Sequence, residues 1–111
     1  MDDMDMGIAT VSMQVIINSC NGRDKVDEAF AKIAELKFDE ARALLDAADG
    51  DMLKAHNAQT SMIQAQAAGE DTEYSLLFVH AQDTLMTSDA QLRIARNLIP
   101  VVESLYKLAT K

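Results

Sequence analysis

His80 opens the grouping in this chain whose residue types could do chemistry. Asp83, Thr84, Thr87 and Gln91 follow it at steps that keep them on one side of a helix. At 100° per residue, the other four all lie within about 60° of the His80 direction. A neutral imidazole offers a nucleophilic nitrogen near neutral pH without a separate base, while a hydrogen bond to its other nitrogen holds the tautomer. Such a group accepts a phosphoryl group and releases it again. Other reactions lack their parts. Acyl hydrolysis wants a Ser or Cys nucleophile beside a base and an oxyanion hole, and no such signature is present. A zinc helix of the HExxH kind is missing, and His80 with Asp83 alone is a weak metal pattern. No glycine-rich loop cradles a phosphate, so a phosphoryl group would have to come from another protein. The competing reading is that these polar residues fix the register of an apolar interface, with His80 merely one hydrogen-bonded member.

The elements that must position this group are helices. The chain has 111 residues, 49% hydrophobic and 25% charged, enough for one domain (1–111) with its own core. Four Gly, one Pro and 5% aromatics, against seven Met, leave too few turns and β-formers for a sandwich or barrel. Ile8, Val11, Val15, Ile16 and Cys20 recur at helical steps, resuming with Val26, Phe30, Ile33 and Leu36 after Asn21-Gly22. They predict a first helix, whole or interrupted at Gly22. Phe38-Asp39-Glu40 restarts the chain, and Ala41, Leu44, Leu45, Ala48, Met52, Ala55, Met62 and Ile63 predict a second helix, with Gly50 inside or breaking it. Ala68-Gly69-Glu70-Asp71-Thr72 reads as a loop, with Thr72 a candidate cap. A third helix is expected from about Glu73 to the C-terminus, either kinked at Pro100 or restarting there. The expected architecture is all-α, an antiparallel up-down-up three-helix bundle.

The third helix is apolar on two sides. Tyr74, Phe78, Leu85 and Leu92 form one stripe; Leu76, Leu77, Ile94, Leu98, Val102 and Leu105 form a second around His80, widened by Val79 and Met86. Two neighbouring helices cannot cover both, so a second copy of the chain is expected against helix three.

Charge narrows the partners. Ten basic and eighteen acidic residues give −8, which disfavours nucleic acid. Residues 1–90 carry −11 and residues 91–111 carry +3, so a partner near the acidic portion would present a basic surface. Cys20 stands alone, which rules out an intrachain disulfide and a cysteine zinc cluster and fits a reducing compartment. The acidic N-terminus is unlike a signal peptide, and no apolar run reaches bilayer length. A soluble cytoplasmic protein, not itself membrane-embedded, is the expectation.

Tyr74-Ser75-Leu76-Leu77-Phe78-Val79-His80-Ala81-Gln82-Asp83, continuing through Leu85-Met86-Thr87-Ser88, resembles the enzyme IIA component of the lactose/cellobiose (diacetylchitobiose) type in the bacterial sugar phosphotransferase system. Ala55-His56, Gln59-Thr60 and Ala68-Gly69-Glu70 also look like this family. The resemblance implies a homotrimer of three-helix subunits with helix three at the trimer axis. It implies that the histidine-containing phosphocarrier protein phosphorylates Nε2 of His80, and that a cysteine of enzyme IIB takes the group on toward a β-linked disaccharide. Asp83 matches the family position facing the axis, where three copies surround one divalent cation, taken as Mg2+; three close carboxylates in a dry interface repel, and a cation or a raised pKa must relieve them.

Gln82, about 160° from His80 on the wheel, is assigned a structural or intersubunit role. His56 and Gln59 fit family positions as packed residues or participants. Thr84 stands where relatives often carry a second histidine. Thr84 and Thr87 can donate hydrogen bonds to a phosphoryl group but bring no charge. A trimeric binding or regulatory module that kept the bundle without transfer, and a metal-stapled structural trimer, are the alternatives.

Overall fold

In a computed structural model the chain is described over residues 3–69 and 75–111, as α1 (Asp3–Ala34), α2 (Phe38–Ala67) and α3 (Leu76–Ala109). The three helices run up, down and up in a rod of 65 × 22 × 19 Å. Each buries residues at alternating steps of three and four. On α1 these are Ser12, Val15, Ser19, Gly22, Val26, Ala29 and Ile33. On α2 they are Ala41, Leu45, Ala48, Met52, Ala55 and Met62, with half-buried Gln59 filling the missing step. On α3 they are Phe78, Ala81, Leu85, Ser88, Leu92, Ala95 and Ile99. A seven-residue repeat sustained along every helix is the pattern of an antiparallel coiled coil. Its many small side chains let the backbones come close.

Gly22 shows how close. A Cβ there would lie 2.7 Å from Cε of Met52 and 3.4 Å from the Ala48 carbonyl oxygen. The residue that the sequence leaves open as an interruption is a contact point between α1 and α2, and α1 passes through it unbroken. Gly50 lies inside an unbroken α2, exposed, with nothing within 4 Å of a built Cβ. Pro100 is exposed and inside α3, which does not restart there. Its ring and missing N–H therefore face outward rather than into the core.

The turns carry the expected chemistry at different residues. After α1, the Leu36 N–H donates to the Ile33 carbonyl and the Lys37 N–H to the Lys32 carbonyl, both at 2.9 Å. Leu36 (φ 62°) occupies the left-handed position of this Schellman closure, where glycine is usual. Gly69 (φ 84°) takes that conformation after α2. Helix α3 starts at Leu76 rather than Glu73, because Ser75 adopts extended backbone and its hydroxyl accepts from the Phe78 N–H at 3.2 Å. Thr72, Glu73 and Tyr74, expected as cap, first residue and core residue, lie outside the described residues.

Side-chain pairs between α2 and α3 report the register. Arg42 pairs with Glu103, Arg96 with Asp49 and His56 with Asp89, so α2 steps up by seven as α3 steps down by seven. Burial opposes the Arg96 charge, but hydrogen bonds and attraction from Asp46 and Asp49 outweigh it and raise the guanidinium pKa. Between α1 and α2, Lys25 binds Asp51, which is 8% exposed. Among the described residues no helix is long and apolar enough to cross a membrane.

Since glycine in an exposed helix interior costs up to about 1 kcal/mol relative to alanine, Gly50→Ala should stabilise the protein by ~0.5–1 kcal/mol. Thermal unfolding of the two proteins checks this as a higher Tm for the variant.

Candidate functional site

Helix α3 carries His80 in its second turn, exposed. Asp83 is exposed on the same side. Thr84 is buried, and its hydroxyl donates to the His80 carbonyl at 2.8 Å. The Thr87 hydroxyl donates to the carbonyls of Asp83 (2.8 Å) and Thr84 (3.2 Å). A hydroxyl has one proton, and here both protons go to the helix's own backbone. Both hydroxyls are engaged within the helix, because the carbonyl a turn back is the nearest acceptor.

The remaining candidates lie elsewhere. Gln82 is half-buried on the side of α3 away from His80. His56, on α2, has Nε2 4.0 Å from Asp89 Oδ2, and Arg93 Nε lies 3.6 Å from the same oxygen. Asp89 is nine residues past His80 and about 180° round the helix, so His56 and His80 of one chain are not neighbours. Gln59 occupies a half-buried seam position on α2.

Around His80 the second apolar stripe is bare. Leu76 is 71% exposed, Met86 65%, and Ile94 and Leu105 60% each. Leu98 and Val102, assigned to this stripe from the sequence, are instead half-buried against the core, while exposed Val101 and Leu108 extend it to the C-terminal end. Both lie about 60–80° from the His80 direction on the wheel, at the margin of the stripe. The bare face flanks His80 on both sides along the axis.

No three His, Cys, Asp or Glu side chains among the described residues come together as a metal site within one chain. Asp83 is exposed and stands alone, so a divalent ion would need carboxylates from several copies.

A helical bundle that displays one imidazole on an open, apolar helix face is built to meet other proteins rather than to enclose a small substrate. The family model of the PTS system, lactose/cellobiose specific IIA subunit, matches residues 10–103. The chain belongs to this family and is a sugar phosphotransferase system IIA component. It is 39% identical over 95 residues to the lichenan-specific phosphotransferase enzyme IIA component of Bacillus subtilis (strain 168), covering 86% of each chain. The crystal structure of the cellobiose-specific enzyme IIA from Bacillus anthracis is similar with a TM-score of 0.85 and 34% identity, over 90% of this chain and 92% of that one. IIA(Chitobiose) of the N,N'-diacetylchitobiose branch of the Escherichia coli phosphotransferase system, solved as a complex with HPr, is similar with a TM-score of 0.77 and 32% identity, over 89% and 96% of the two chains.

Proposed function

We propose that the chain is a phosphocarrier that receives a phosphoryl group on Nε2 of His80 from the histidine-containing phosphocarrier protein HPr and passes it to a cysteine of enzyme IIB during disaccharide uptake. The Nε2 lone pair attacks phosphorus as the phosphorus–nitrogen bond of the donor histidine breaks, and the donor nitrogen leaves with its electron pair. In the second step the enzyme IIB thiolate attacks the same phosphorus, and the bond to Nε2 breaks, returning neutral His80. Little covalent work falls to the protein. It holds nitrogen and phosphorus in line and lets two partners reach the same atom in turn. The observation that carries this reading is the exposed His80 on an open helix face, in a chain whose solved relative stands in complex with HPr.

On this reading the working particle is a cytoplasmic homotrimer with the three α3 helices at its axis. The bare stripe of Leu76, Met86, Ile94, Val101, Leu105 and Leu108 supplies the apolar face that such an axis needs. Three copies of Asp83 would then hold one Mg2+, which would supply charge neutralisation against their mutual repulsion, and His80 carries the transferred group.

Incubation with HPr and its phosphoryl source should add one acid-labile phosphoryl group per chain by intact mass, with no addition in His80→Ala. An unmodified wild-type chain, or an equally modified variant, would overturn the assignment of His80. Light scattering should report three copies for the wild type. Ile94→Asp, which sets a charge in the apolar stripe, should yield monomers that keep their helix content, whereas an unchanged oligomer would remove α3 from the interface.

A further inference from the structure

The basic side chains of this protein are confined to one half of the bundle. Residues 1–22 and 55–92 contain no Lys or Arg. In the antiparallel fold these segments, the first part of α1, the last part of α2 and the first part of α3, lie together at the end that bears His80. The ladder of pairs 42/103, 49/96 and 56/89 sets the level of each residue along the rod. The next rung would be Ile63 opposite Gln82, beside His80. By that register His56 sits about 13 Å from the His80 level, Lys54 about 16 Å and Arg93 about 20 Å, at 1.5 Å per residue. Rotation about an axis along the rod preserves level, so neighbouring copies in a parallel cyclic assembly cannot bring their cations closer along it. Around His80, the only positive charge on its own helix is the partial charge of the N-terminal backbone. Asp83 is anionic, and the hydroxyl protons of Thr84 and Thr87 are on backbone carbonyls.

We infer that a phosphoryl group on His80 is held without any cationic side chain from this chain or its copies. The inference rests on the phosphocarrier reading of His80 above. Its consequence is a phosphohistidine of high transfer potential. In the exchange of one phosphoryl group between HPr and His80, with one phosphorus–nitrogen bond broken and one formed, positive charge added beside His80 shifts the balance toward this chain.

The test mixes limiting phosphorylated HPr with each variant of the full-length protein at about pH 6, where an added imidazole is largely charged, and reads the phosphorylated fraction by intact mass. Thr84→His, one turn from His80, should raise the phosphorylated-to-free ratio about tenfold, as a charge-assisted hydrogen bond to phosphate would. Leu77→Arg, half exposed one turn before His80, makes the same test without touching the seam and should shift the ratio in the same direction. Thr84→Val and His56→Gln should stay within about twofold of wild type, because neither side chain bonds the phosphoryl group. A fall of about fivefold or more in His56→Gln or Thr84→Val, or no rise in both charge-adding variants, would overturn the inference. If the wild type takes up no phosphoryl group, the phosphocarrier reading itself fails, which is a different result.

Discussion

Close packing of small side chains along a seven-residue seam is the constraint on which the rest depends. Ala41, Ala48 and Ala55 are buried on α2 and Ser12, Ser19, Gly22 and Ala29 on α1, and Gly22, against Ala48, leaves no room for a methyl group without displacing Met52. Helices this close fix one another's register, since a shift of one residue would drive larger side chains such as Leu45 and Val26 into positions built for alanine. The salt bridges follow that register. With it set, α3 presents one side to the core and leaves the opposite side, with His80 in it, uncovered.

That uncovered side joins two properties. It carries exposed apolar side chains along its length, and the part of it around His80 lies in the half of the rod from which Lys and Arg are absent. Positive charge is gathered in the other half, where Arg42, Arg96 and Lys25 are occupied in pairs that brace the helices. Charge that stabilises the bundle and charge that would meet a phosphoryl group are thereby separated along the rod. In the proposed phosphocarrier role, an end stripped of cations would favour release of the phosphoryl group.

Much of this was legible beforehand, and what was not had a physical cause. Helical periodicity located all three helices, and the wheel separated the buried stripe of Phe78, Leu85 and Leu92 from the bare one. Gly22 could not be read, because glycine inside a helix looks the same whether it breaks the helix or touches another. The deciding fact was Met52, thirty residues away. Thr72 and Ser75 both suit a helix cap, and the observed choice is Ser75 with its extended backbone. The hydrogen bonds of the threonines were not legible for a different reason. A wheel gives the direction of a side chain but not the acceptor its proton chooses, and for Thr84 that acceptor is the carbonyl of His80. His56 matched a pattern in sequence, yet its level along α2 pairs it with Asp89 and away from His80. The absence of Lys and Arg from residues 1–22 and 55–92 is plain in the sequence but acquires meaning only once the fold lays those segments side by side.

Discharge onto the next protein is the most direct measure of a carrier. Wild-type protein phosphorylated on His80, freed of donor and mixed with purified enzyme IIB, should lose its phosphoryl group as one phosphocysteine appears on the acceptor, while an acceptor lacking that cysteine should leave the label in place. A phosphorylated protein that keeps its label in the presence of intact enzyme IIB would contradict the account and make the bundle a regulatory module.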